Sequence, residues 1–250
     1  MSEWVSGRVL NNIRYPGELF TLQVEAAVEP FVAGQYTKLA LDVDGERIAR
    51  PYSMVNSPTD DVLEFYFNNV PNGDFTSRLS ELEGGDNIWV AQTASGFFTL
   101  DEVPDAEQLW MLATGTAIGP FISILKTAAP WERFSKIILV YGVRHASDLN
   151  YRVAIAEFQE RYQHRFSMVP FISREVHSYA MDGHIPDAIS NGTLEQRVGL
   201  QLAPDRSQVM ICGNPSMIKE TKQVLEERGL KKNLRRRPGQ VTTEHYWQDD

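Results

Sequence analysis

Cys212 is the only cysteine in the 250-residue chain, so no intramolecular disulfide can form, as expected of a protein kept in a reducing compartment. An iron–sulfur cluster of the ordinary kind takes about four cysteine thiolates. This chain cannot hold one, and any one-electron iron–sulfur chemistry must belong to a partner. No stretch approaches the roughly 18 apolar residues of a membrane span, and residues 1–9 carry no basic segment leading into an apolar one. The expectation is a cytoplasmic protein with no membrane partner. The five histidines, His145, His164, His177, His184 and His245, lack metal-ligand spacing, so no metal site is expected. Asp148 and Glu157 do not form a catalytic carboxylate pair, and Ser53 and Ser173 have no evident base, so nucleophilic hydrolysis has no support.

Positive charge is scarce early in the chain. Residues 1–100 hold six Lys and Arg against fourteen Asp and Glu, which accounts for −8 of the formal −9. A basic run follows late: Lys231, Lys232, Arg235, Arg236 and Arg237. It reads either as a solvated surface or as a positive docking rim for an acidic partner, since local fields steer encounter even when the net charge is negative. The acid balance, with no recognisable nucleic-acid motif, argues against nucleic acid as a partner. Charged residues at 23% and hydrophobic residues at 42% are ordinary for globular proteins, so the whole chain is expected to fold. Its length suits two domains.

The first hundred residues read as short strands with turn punctuation: 4–12, 19–26, 36–43, 61–68 and 87–91, with Arg50 to Ser53 in a further strand. Asp44-Gly45 between apolar flanks is a hairpin signal. About six strands suggest an antiparallel barrel, with a short helix at 76–83. From residue 108 the pattern becomes buried strands (109–113, 136–141, 166–172, 208–212) alternating with helices (120–126, 151–162, 184–191, 215–228). That alternation means a parallel sheet with helices on both faces. The expected domains are 1–101, the barrel, and 106–250, the α/β domain.

Five segments and an arginine pair carry chemistry. Arg50-Pro51-Tyr52-Ser53 offers a positive charge, a flat ring and a hydroxyl on one strand, which are the groups a flavin needs at its phosphates, ring and reactive edge. Glu64-Phe65-Tyr66-Phe67 is an aromatic strand whose rings either fill a barrel core or line that cofactor. Pro71-Asn72-Gly73-Asp74-Phe75-Thr76-Ser77 is a turn opening a helix, able to present backbone N–H groups to an anion or to serve as an ordinary cap. Gly115-Thr116-Ala117-Ile118-Gly119-Pro120 stands between a buried strand and a helix, where a backbone can approach a phosphate closely. The third glycine of the full dinucleotide fingerprint is missing, and no acid follows at the right distance. Cys212-Gly213-Asn214-Pro215 repeats the arrangement after the last buried strand, with Pro215 suited to a first helical turn. Arg144 and Arg174 each follow a strand of the same sheet, and two arginines at strand ends clamp a phosphate where an acid would bind a ribose diol. That pattern points to NADP rather than NAD.

In order and spacing these motifs, together with Gly34-Gln35-Tyr36, Gly96-Phe97-Phe98 and Glu244-His245-Tyr246-Trp247, resemble those of bacterial ferredoxin/flavodoxin-NADP reductases of the short, enterobacterial-like subclass, over essentially the whole chain. The resemblance implies an FAD-binding barrel followed by an NADP(H)-binding α/β domain. It implies an enzyme that passes hydride from NADPH to flavin N5, and then single electrons to flavodoxin or ferredoxin. The catalytic candidates are Tyr52, Ser53 and Cys212. Arg50, Pro51, Tyr52, Ser53, Phe65, Phe67, Asp74, Phe75, Thr76 and Thr116 are implied at the FAD, with Tyr246 and Trp247 returning to pack on the flavin or on the adenine. Gly115, Arg144, Arg174, His184, Gly213 and Asn214 are implied at the NADP(H). His184 stands where relatives carry a third arginine, and Gln248-Asp249-Asp250 continues past the aromatic pair where relatives end. A reductase serving another acceptor or free flavin is one alternative, and a flavin-binding regulatory module without turnover is another. The default oligomeric state is a monomer.

Overall fold

The structure is a computed structural model and describes residues 3–70 and 73–245. It divides into two compact units: residues 1–99 with 119–127, and residues 100–118 with 128–250.

The first unit is an antiparallel sheet of β1 (Trp4–Tyr15), β2 (Leu19–Glu25), β3 (Tyr36–Val43), β4 (Glu46–Ser53), β5 (Leu63–Asn68) and β6 (Asn87–Ala91), in the order β4-β3-β6-β1-β2-β5. The two edges meet through the Met54–Phe65 bridge, so the sheet curls into a barrel. A register shift between Val9 and Asn11 marks a bulge in β1, the usual device for bending a strand around a corner. Asp44 and Gly45 both take positive φ, as the tight β3–β4 hairpin demands. The alternating apolar residues of these strands point inward: Leu22, Leu39, Phe65 and Val90 are fully enclosed. Helix α1 (Asp74–Ser80) begins two residues before the expected start, with Asp74 in its first turn favoured by the helix dipole.

Helix α2 (Gly119–Leu125) groups with this first unit although it follows the first strand of the second. All seven of its residues are buried. Ser123 Oγ donates to the Asn56 carbonyl at 2.7 Å, and the Phe121 and Phe98 rings meet edge-on at 5.3 Å.

The second unit is a parallel sheet of β7 (Gln108–Thr114), β8 (Lys136–Val143), β9 (Phe166–Ile172), β10 (Met181–Asp182), β11 (Ser207–Gly213) and β12 (Val241–His245), ordered β10-β9-β8-β7-β11-β12. Helices α3 (Ala129–Arg133), α4 (Arg152–Tyr162), α5 (Ile185–Ser190), α6 (Thr193–Val198) and α7 (Pro215–Glu227) make the connections. The central strands β7, β8 and β11 are apolar along nearly their whole length because both sheet faces are covered. Trp110, Leu112, Val140, Val209 and Ile211 are among the enclosed residues of that core, each worth roughly 1.5 to 3 kcal/mol of burial. The buried Trp110 indole donates to Gln108 Oε1 at 3.0 Å, so its N–H is not left unpaired. The sheet grows outward from β7 in one direction through β8, β9 and β10, and in the other through β11 and β12. The carboxyl ends of β7 and β11 therefore flank a topological switch point, where open α/β sheets bind ligands.

Candidate nucleotide-binding sites

On the barrel, the motif Arg50-Pro51-Tyr52-Ser53 forms the end of β4 and pairs with Tyr36 to Leu39 of β3. β4 is at an end of the sheet order, and an edge strand tolerates Pro51, which lacks a ladder donor. Tyr52 lays its ring against Phe75 at 6.0 Å, nearly parallel, and meets Phe67 edge-on at 6.1 Å. Burial pushes the Tyr52 phenol well above its usual range, against the smaller opposing pull of Arg50, so the ring stays neutral. Arg50 is exposed; its Nη1 donates to the Ala49 carbonyl at 2.9 Å, and among the described residues no carboxylate pairs with it. Ser53 is buried beside it at the strand end. An unpaired cation, a neutral ring and a hydroxyl within four residues fit the diphosphate, the flat ring system and the polar edge of a flavin dinucleotide.

The other candidates on this unit differ in exposure. Phe65 is wholly enclosed, so it fills the barrel and offers no face to a ligand; Phe67 and Phe75 are buried behind Tyr52 as its packing partners. Asp74 is exposed, while Thr76 Oγ1 accepts from the Val70 N–H at 3.0 Å and so ties the turn before α1 to its first residues.

At the switch point of the second unit, Gly115 follows β7 with φ +56° and Gly213 ends β11 with φ +140°. A Cβ on Gly213 would collide with the Thr114 hydroxyl, which instead accepts from the Asn214 N–H at 2.9 Å. The two strand ends are thereby sewn together at a gap only glycine allows. Thr116 is buried just beyond Gly115. The start of α7 has few donors to spare: Pro215 has no N–H, the Ser216 and Met217 N–H groups donate to Asn214 Oδ1 at 2.9 and 3.2 Å, and that of Ile218 to the Asn214 carbonyl. The second glycine turn therefore contributes close backbone approach and not free helix donors, because Asn214 caps the helix itself.

Cys212 is fully buried, and burial pushes its thiol far above the ordinary value, with the Glu244 carboxylate adding to the rise. It is a neutral thiol, not a poised nucleophile. Glu244 lies opposite it on β12. Desolvation raises the Glu244 carboxyl to about 7, and its buried Oε2 has no hydrogen-bond partner among the described residues. Sequence reasoning passed over Glu244 as part of a terminal motif; only the β11–β12 pairing gives it significance.

Arg144 follows β8, Arg174 follows β9 and His184 caps α5 after β10, so the three stand along one carboxyl edge of the sheet. The Arg174 N–H donates to the Arg144 carbonyl at 3.0 Å, holding the two arginines side by side. Both are exposed, and among the described residues neither has a carboxylate partner. Next to them lies a cluster the sequence did not announce. His145 Nδ1 and His177 Nε2 bond the two oxygens of Glu175 at 2.7 and 2.8 Å. Tyr246 and Trp247 lie outside the described residues.

A barrel and a parallel sheet, each with a nucleotide-type site, define the flavin- and pyridine-nucleotide-dependent oxidoreductases. Accordingly, residues 15–98 match the oxidoreductase FAD-binding domain family, and residues 111–223 the oxidoreductase NAD-binding domain family. The chain is 48% identical to the flavodoxin/ferredoxin–NADP reductases of Escherichia coli and of Shigella flexneri, in each case over 248 residues that span 99% of this chain and 100% of the relative. Among solved structures, the ferredoxin NADP+ reductase of Neisseria gonorrhoeae, with bound FAD and NADP, superimposes with a TM-score of 0.92 at 29% identity, over 99% of this chain and 100% of that one. The chain belongs to the flavodoxin/ferredoxin–NADP reductase family.

Proposed function

We infer that the chain is a flavodoxin/ferredoxin–NADP(+) reductase that binds FAD on its barrel and NADP(H) on its parallel sheet. One observation carries the reading: in a chain related to such reductases from end to end, the glycine turns after β7 and β11 open the switch point of the sheet, and two exposed arginines stand farther along the same edge. When bound, FAD would supply the chemistry that couples the two-electron donor NADPH to the one-electron carriers flavodoxin or ferredoxin.

The residues of this chain bind and orient. Tyr52 offers its face to the isoalloxazine, held by Phe67 and Phe75; Ser53 stands near the reactive edge, and Arg50 with Asp74, Phe75 and Thr76 serves the pyrophosphate. Gly115, Thr116, Gly213 and Asn214 admit the nicotinamide half of NADP(H), with neutral Cys212 behind them. Arg144 and Arg174 grip the 2′-phosphate, with His184 on the same edge of the sheet. Proximity of this kind accounts for on the order of 7 to 11 kcal/mol of barrier in favourable cases. The exposed run Lys231, Lys232, Arg235, Arg236 and Arg237 offers an acidic carrier a positive rim, part of which is already engaged where Arg235 pairs with Glu102 at 2.7 Å. We take the protein to act as a monomer.

Steady-state turnover with NADPH and, in turn, flavodoxin, ferredoxin and free flavin tests the reading. Faster turnover with either protein carrier is expected; a preference for free flavin would move the protein to a flavin reductase.

A further inference from the structure

Glu175 is the carboxylate next to the arginine pair, and it does not bind either arginine. A carboxylate beside two guanidinium groups normally forms the charge-assisted pair. Here its oxygens are taken by His145 at 2.7 Å and His177 at 2.8 Å, with the Ala146 N–H at 3.4 Å from Oε2. His145 is the residue after Arg144, and Glu175 the residue after Arg174. The cluster therefore crosses from the loop after β8 to the loop after β9, next along the chain to the backbone hydrogen bonds from Ser173 to Val143 and from Arg174 to Arg144. Hydrogen bonds from His177 and then His145 hold Glu175 below the usual carboxylate range, so it remains an anion.

Resting on the reading that Arg144 and Arg174 bind the 2′-phosphate, we propose that Glu175 is an internal competitor for those arginines, and that His145 and His177 restrain it and so sustain NADP(H) selectivity. They are positioning residues; the arginines make the contact. Freed of those two hydrogen bonds, Glu175 would oppose the phosphate and draw on its ligands. Other ionisable groups face the cluster without taking the Glu175 oxygens. Asp148 Oδ2 accepts from the His145 N–H at 3.1 Å, and Arg152 donates to the Ala146 carbonyl at 2.7 Å. The Tyr179 ring lies 5.2 Å from that of His177, and Arg197 donates to the Tyr179 carbonyl at 3.4 Å. His184 is the one other histidine on this edge, and it remains in every variant below.

The test is calorimetric binding of adenosine 2′,5′-bisphosphate and of adenosine 5′-monophosphate to the holoprotein at one fixed pH. The ratio of the two affinities reports the 2′-phosphate alone, and monophosphate binding reports an intact adenosine site. H145Q/H177Q should lower the ratio roughly three- to tenfold, the scale of a few partly exposed charges, and adding E175Q to that pair should restore it. An unchanged ratio in H145Q/H177Q, or no recovery on adding E175Q, overturns the proposal. R144A/R174A separates the two levels: loss of the bisphosphate preference there upholds the 2′-phosphate site, and its retention removes that site and the proposal together.

Discussion

Cys212 and Glu244 stand opposite one another on the parallel strands β11 and β12, a buried thiol facing a carboxyl that desolvation raises to about 7. Because the folded carboxyl holds its proton more tightly than the ordinary value of 4.5, the neutral form is the stable one in the fold. The stability it contributes is fully present below about pH 4.5 and is lost as pH rises through about 7. The change amounts to roughly 3 kcal/mol at most. Denaturant unfolding at several pH values should therefore show stability falling across that window, and Glu244→Gln should flatten the fall. An unchanged slope in the variant would place the carboxylate in solvent.

Gly213→Ala introduces a methyl where the Thr114 hydroxyl already sits, at a φ of +140° that L residues rarely adopt. The expected loss is about 2 kcal/mol or more, read as a lower melting temperature, together with weaker NADP(H) binding as the β7–β11 crevice shifts. Normal melting and affinity would show that the strand ends adapt freely.

Asn214→Ala removes the acceptor for the Ser216 and Met217 N–H groups. The cost expected for a lost N-cap is about 1 kcal/mol, measurable by urea unfolding.

Tyr52→Phe and Tyr52→Ala separate ring from hydroxyl. Phe preserves the contacts with Phe67 and Phe75 and should retain FAD. Ala opens the barrel core, with a loss of about 3 kcal/mol or more, and should release FAD on dialysis. Equal FAD retention by the two variants would take the ring out of the site.

Much of this architecture is legible in the residues because the elements that build it have strong periods. The apolar runs at 109–113, 136–141 and 166–172 lie within observed strands, and the Asp44-Gly45 turn is where two residues of positive φ are required. Edges are harder to read. β12 buries one residue fully and β10 has only two residues, so neither carries a hydrophobic signal; their backbones are fixed by pairing with β11 and β9. Gly115 and Gly213 announce a site because backbone constraint is local. Glu175, His145 and His177 do not, since thirty residues separate the first histidine from its carboxylate and only the parallel β8–β9 register brings them together. The membership of α2 in the barrel unit was likewise hidden, because a helix following a buried strand reads as cover for that strand's own sheet.

The central claim, that this chain transfers electrons from NADPH into its own bound flavin, is tested most directly by one spectrum. Protein reconstituted with FAD should lose its yellow absorbance on anaerobic addition of one equivalent of NADPH, and lose it more slowly with NADH. Protein that holds FAD yet keeps its full oxidised spectrum with excess NADPH would contradict the account.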